Sequence, residues 1–262
     1  MGSLLGSIAG DMIGAPYEGH PTTQRDFPLF CPFSHYTDDT VLTVATAYCI
    51  LYGTGYAETY RRFARAHPDR GYGASFLHWV SQDGAGPYFS LGNGSAMRVA
   101  PVGYAADSVE AALAEAERSA AVTHNHPEGI KGAQAVALAV FLARNGVEKA
   151  EIRKEIAARF GYRLHRRLET IRAHYGPDIT CPGSVPEAIL CFLEAGSVEE
   201  AIRNAVWLRG DADTQACIAG GIAEAFYGGI PSEIEAEVRK RLPEDFLGVV
   251  DAFYERYVKR TA

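Results

Sequence analysis

The sequence predicts an all-α protein, a single compact orthogonal bundle of many helices across residues 1–262. Three observations carry that prediction. Apolar residues recur at helical spacing from one end of the chain to the other. The strict alternation that a half-buried strand requires is nearly absent. The run Ala133-Gln134-Ala135-Val136-Ala137-Leu138-Ala139-Val140-Phe141-Leu142-Ala143 is apolar almost all round, the mark of a helix enclosed by its neighbours.

Taken in order, the first helical segment, residues 2–13, leads into Gly14 and places Gly6, Gly10 and Gly14 on one face, which permits close approach of another helix. The chain then turns through Ala15-Pro16-Tyr17-Glu18-Gly19. Residues 40–52 follow Thr37-Asp38-Asp39-Thr40, whose carboxylates suit the free amides and positive dipole of a helix start. Helical periodicity resumes over 57–66 and 107–121, and the Ala-rich run makes 130–145 the central helix. Segments 148–159, 185–194 and 198–207 come next; 215–227 opens from Asp211-Ala212-Asp213-Thr214, and 232–241 and 245–258 close the bundle. The loops 14–38, 81–104, 122–129 and 208–214 contain nearly every unusual polar residue, and their convergence would make a site.

Composition narrows the function. Hydrophobic residues at 47% and charged residues at 22% are the mixture of a globular protein with a large core. A net charge of −7 offers no basic field for a polyanion, so general nucleic-acid binding is disfavoured. Cys31, Cys49, Cys181, Cys191 and Cys217 are odd in number and lack C-x-x-C spacing, which suggests neither a disulfide framework nor a thiolate zinc site and fits a reduced cytoplasm. No basic signal-peptide start and no membrane-length apolar stretch is found, so a soluble, intracellular protein is expected; the expectation for its oligomeric state is a monomer.

The two acidic clusters are the strongest chemical signal. One carboxylate per helix start is ordinary, whereas two in each cluster exceed what capping needs. Brought together, the four carboxylates would repel one another unless hard cations lay between them, and oxygen-only donors of this kind suit Mg²⁺, Mn²⁺ or Ca²⁺. The expectation is a paired-cation cleft in the helical bundle. Asp11 in an otherwise apolar face, and Glu18 in a Gly/Pro-bounded turn within reach of the cations, are not explained by packing alone.

Weaker patterns surround these clusters. Gly92-Asn93-Gly94-Ser95-Ala96-Met97-Arg98 resembles a turn feeding a helix start, which can cradle a phosphate or be a simple connector. In Thr123-His124-Asn125-His126-Pro127 the two histidines could ligate metal, but oxygen-rich clusters favour a different ion, and His124 is assigned to substrate contact. Tyr17, Tyr36, Tyr88 and Phe89 are candidates for stacking on a base. Covalent catalysis has little support, since no G-x-S-x-G elbow is present, and the missing D-x-[DN]-x-[DN]-G loop excludes an EF-hand.

Together, Gly10-Asp11-x-x-Gly14-x-x-Tyr17-Glu18, Tyr36-Thr37-Asp38-Asp39-Thr40, Gly92 to Arg98 with Ala100-Pro101, Thr123-His124 with Gly132-Ala133, and Gly210-Asp211-Ala212-Asp213-Thr214 with Ile218-Ala219-Gly220 resemble the ADP-ribosylglycohydrolase family, in order and over nearly the full length. The resemblance implies an all-α fold with two Mg²⁺, or Mn²⁺, at the base of a cleft that takes the ADP-ribose moiety of a modified protein or small molecule. Carried over, it implies one ion held by Thr37, Asp38 and Asp39, a second by Asp211 and Thr214, and Asp213 shared. Glu18 would be the general base, with Asp38 and Asp39 stabilising the reacting ribose; Gly92, Asn93, Gly94, Ser95 and His124 would hold the substrate.

The implied activity is hydrolysis of the N- or O-glycosidic bond between ADP-ribose and an acceptor side chain such as arginine or serine. The alternatives are cleavage of a free ADP-ribosylated small molecule and a non-catalytic ADP-ribose-binding relative. Two departures from the family pattern remove no ligand: Arg209 stands where a glycine is usual, reaching the cleft or pointing to solvent, and Glu224 replaces a small residue.

Overall fold

In the computed structural model, residues 4–258 are described, and they are helical without strands. In chain order the α-helices are α1 (Leu5–Gly14), α2 (Asp38–Tyr52), α3 (Tyr56–Ala66), α4 (Ala74–Ser81), α5 (Gly94–Met97), α6 (Ala100–Ala105), α7 (Val109–Ala121), α8 (Pro127–Arg144), α9 (Lys149–Phe160), α10 (Leu168–Arg172), α11 (Cys181–Glu194), α12 (Val198–Leu208), α13 (Ala212–Tyr227), α14 (Ser232–Arg241) and α15 (Glu244–Tyr257), and all but α4, α5, α6 and α10 fall on expected segments. The expected start of the first segment, at residues 2 and 3, lies outside the described residues.

Four helices were not expected. α4 and α10 occupy segments with no predicted element, and α5 and α6 fold part of the predicted loop 81–104 into single turns. Their lengths of eight, five, four and six residues are too short to show a period. Several long helices also begin earlier than their apolar pattern. In α2 the start moves to Asp38 because Thr37 caps it, its side chain accepting from the Asp39 N–H; in α8 Pro127 fills the first turn, where no amide partner is needed.

Helix α8 is the buried centre, with Ala133, Ala135, Ala137, Leu138 and Ala139 fully inaccessible. Helix α13 packs on α8, and α1 packs on α13 backbone against backbone. A Cβ added at Gly6 would stand 2.5 Å from the Gly220 carbonyl oxygen, and one at Gly14 would stand 2.5 Å from Asp213 Cα. The four-residue glycine spacing therefore draws the end of α1 onto the start of α13, which puts the first acidic region of the chain beside the last.

Candidate active site

Each acidic cluster sits at a helix start, and the α1 to α13 contact brings the two starts together. Asp11, on the buried face of α1, makes the junction with α2. Its Oδ2 accepts from the N–H groups of Thr37 (2.9 Å) and Thr40 (3.1 Å) and from the Thr40 hydroxyl, while Oδ1 accepts from the Thr37 hydroxyl (2.7 Å). The cluster thus gains a fixed orientation before any ligand binds. Thr37 Oγ1 also lies 3.2 Å from Asp39 Oδ2, and that same oxygen accepts from Thr214 Oγ1 at 3.4 Å, across 175 residues of chain.

Two trios of carboxylate oxygens result, each within 4.8 Å of one another: Asp11, Asp39 and Asp213, and Glu18, Asp211 and Asp213. Asp213 is common to both. Asp11 completes the first trio, but its oxygens already accept four hydrogen bonds, so its part is to hold α2 in place. Asp39 Oδ1 is buried with no hydrogen-bond partner, a state that is costly unless a cation or proton meets it. Asp211 is the N-cap residue of α13 yet its carboxylate does not cap the helix; it accepts instead from the Asn93 amide at 2.7 Å. Asp38 lies outside both trios, with its N–H donated to the Arg70 carbonyl at 2.7 Å.

The electrostatics follow from crowding acids in a desolvated place. Burial, then the neighbouring Asp11 carboxylate, pushes Asp38 up to about 8. Burial followed by Asp11 and Asp38 raises Asp39 well above the carboxylate range; burial followed by Asp39 and Asp211 does the same to Asp213. Glu18, exposed at the cleft after the single turn Ala15–Tyr17, is raised by partial burial and then by Asp211. Such acids must take up protons or share cations, and an oxygen-only donor set suits hard divalent ions.

Above the acids lies a cleft of about 530 Å³. Glu18, Thr37, Asp38, Asp39, Asp211, Asp213 and Thr214 line its floor, and Gly92, Asn93, Gly94 and His124 line one wall. All four expected loops converge there. The wall loop is pinned to the start of α11 by Asn93 N–H to Ile179 O (2.8 Å) and Cys181 N–H to Leu91 O (2.9 Å). Ser95 departs from the expectation. Within α5 the positions that border the cleft are Gly94 and Met97, one turn apart, so Ser95 turns to the core and its hydroxyl donates to the Gly129 carbonyl at 2.7 Å.

Of the aromatic candidates, Tyr88 lines the cleft. Tyr17 packs on Phe27, Tyr36 on Phe246, and Phe89 turns its edge to His126. Two lining segments escaped the sequence reading: 69–76, with α4's first turn, and Ile179. The one local signal for the first is Gly71-Tyr72-Gly73, whose Gly71 has φ of +88°. Arg209 does not line the cleft; it is exposed, at φ +74°, as the left-handed residue that ends α12. Glu224 is buried, and one of its oxygens accepts from the Gly6 N–H at 2.9 Å.

Fold and site together define an all-helical protein built around acidic groups that could hold metal ions. The chain belongs to the ADP-ribosylglycohydrolase family, whose sequence profile it matches over residues 1–262. It is 30% identical to the ADP-ribosylhydrolase ARH3 of Mus musculus, over 87% of this chain and 83% of that protein. It is 27% identical to the ADP-ribosylarginine hydrolase Tri1 of Pseudomonas putida (strain GB-1), over 88% and 72%. Among solved structures, an ADP-ribosylglycohydrolase-related protein complex contains a chain that aligns with a TM-score of 0.75 and 27% identity, over 98% of this chain and 97% of that one.

Proposed function

We propose that this protein is a metal-dependent hydrolase that cleaves the N- or O-glycosidic bond between ADP-ribose and an acceptor, such as an arginine or serine side chain. The observation that carries the reading is the pair of carboxylate trios sharing Asp213 on the floor of one cleft, in a chain of this family. The unpartnered Asp39 Oδ1 and the oxygen-only surroundings fit a hard divalent cation. Thr37, Asp38 and Asp39 would hold one ion, Asp211 and Thr214 another, with Asp213 between them. When bound, Mg²⁺ or Mn²⁺ supplies Lewis-acid polarisation of substrate oxygens.

The protein's own groups have separate tasks. Glu18, at the exposed side of the cleft with its pKa raised by partial burial and by Asp211, accepts the proton of the attacking water. As the acceptor leaves, positive charge develops on the ribose, and the carboxylates of Asp38 and Asp39 beneath it stabilise that charge. Gly92, Asn93, Gly94 and His124 bind the ADP-ribose along the wall, and the Asn93 amide also keeps Asp211 turned to the floor.

With this activity go one domain over residues 1–262, a monomeric state and a cytoplasmic setting. All five cysteines are free thiols, which supports a reducing surrounding, and no described helix is long and apolar enough to cross a membrane. The test is a panel of ADP-ribosyl linkages to arginine, to serine and to small molecules, each with Mg²⁺, with Mn²⁺ and with chelator. Release of ADP-ribose from a linkage only with a divalent ion is expected. Intact substrate across the whole panel would overturn the proposal, and cleavage confined to small molecules would replace the protein acceptor.

A further inference from the structure

The block that supplies the cleft wall ends in a charge with no evident use: Arg98 is fully buried, its guanidinium 4.3 Å from the Tyr60 ring centre. One of its amino groups donates to the Ser119 carbonyl and to Thr123 Oγ1, both at 2.9 Å. A guanidinium can only donate. It therefore occupies a lone pair of the Thr123 hydroxyl and leaves that hydroxyl's own hydrogen to find an acceptor. Thr123 is itself fully buried, and the remaining partner of its oxygen is His124 Nδ1 at 2.7 Å. The direction of the chain is then set: Arg98 donates to Thr123, and Thr123 donates to Nδ1.

An imidazole that accepts at Nδ1 carries its proton on Nε2 when neutral. Burial and then the Arg98 charge hold His124 well below the ordinary imidazole range, so the ring is neutral with a single N–H. Nε2 has no partner among the described residues, and it faces the glycine wall: a Cβ added at Gly94 would lie 3.2 Å from it, and one at Gly92 3.5 Å. The two glycines keep this atom open to the cleft.

We propose that Arg98 and Thr123 are positioning residues that lock His124 in the Nε2–H tautomer, so that the cleft wall presents one fixed donor to an oxygen of the bound ribose diphosphate. The ligand's identity rests on the function proposed above; the tautomer does not. A wall built this way selects an oxygen acceptor at that point and rejects a donor, because a donor would leave two hydrogens opposed in a desolvated place.

The measurement is ¹⁵N NMR of the imidazole nitrogens in the full-length protein, with His124 assigned by its loss in His124→Gln, alongside ADP-ribose binding by calorimetry. Wild type is expected to show a protonated Nε2 and an unprotonated, hydrogen-bonded Nδ1. Thr123→Val keeps the shape and deletes the donor; the ring should redistribute between tautomers and bind ADP-ribose about ten-fold more weakly, the scale of one neutral hydrogen bond. Thr123→Ser should restore both. A wild-type ring protonated on Nδ1, or an unaltered tautomer in Thr123→Val, would overturn the relay. An Nε2–H ring in a wild-type protein that does not bind ADP-ribose would support the relay and remove the substrate.

Discussion

Asp11 accepts both the backbone N–H and the hydroxyl of Thr37, at 2.9 and 2.7 Å, and so ties the middle of α1 to the cap of α2, 26 residues later. Thr40 adds its own N–H and hydroxyl to the same carboxylate. Replacing Asp11 with alanine strands the two N–H groups and the Thr40 hydroxyl in the core, leaving the Thr37 hydroxyl only Asp39 Oδ2, which should destabilise the fold by about 3 kcal/mol or more. For a chain of this size that is a fall in Tm of about 6–12 °C. Asp11→Asn keeps one acceptor oxygen and should lose less. Calorimetry on both variants checks this, and unchanged melting in Asp11→Ala would remove the clamp.

The metal-free protein should grow less stable as pH rises. Asp38 has its pKa pushed from 3.8 to about 8 in the fold, so the folded state keeps a proton that the unfolded chain has released. Stability present below about pH 4 is lost as pH climbs toward 8, and Asp39 and Asp213 act in the same direction. Cations remove the need for these protons. Mg²⁺ at about 100 times its Kd should then add about 2.7 kcal/mol, or about 5–10 °C in Tm, at pH 8, and much less at pH 5. Melting curves with chelator and with Mg²⁺ at both pH values check the claim; a metal-free Tm that rises with pH would contradict it.

Arg209 ends α12 at φ +74°, a conformation that glycine adopts freely and an arginine does not. Its side chain is exposed and away from the cleft, so Arg209→Gly should raise stability by about 1 kcal/mol and leave turnover unchanged. A variant altered in KM would instead give this arginine a role in acceptor choice.

Asp38→Ala and Asp211→Ala should each abolish release of ADP-ribose while far-UV circular dichroism stays helical. Neither carboxylate caps its helix with a side-chain bond, so removing it takes away chemistry rather than the element. Residual turnover near the wild-type rate in the double variant would end the assignment of the acidic floor.

These relationships were legible to different degrees in the sequence. The central helix announces itself because Ala133 to Ala143 is apolar on every side, and the glycines of α1 because close packing needs them at helical spacing. Both acidic clusters stand out because two carboxylates at one helix start exceed what capping uses. Asp11 is visible as an acid in an apolar face, but its partners lie 26 and 29 residues on, and no local pattern encodes that meeting. Ser95 fails for a related reason: which side of a four-residue helix faces the cleft is decided by packing on α8, where its hydroxyl finds Gly129. The lining segment 69–76 has neither a long period nor a charge cluster to mark it.

The most direct test of the account is electron paramagnetic resonance of Mn²⁺ bound to the wild-type protein and to Asp213→Asn. Sharing of Asp213 between the two trios predicts two ions per chain with a spin-coupled spectrum, lost together with the coupling in the variant. A wild-type protein that takes up no Mn²⁺, or that gives the signal of isolated ions unaffected by the loss of Asp213, would contradict it.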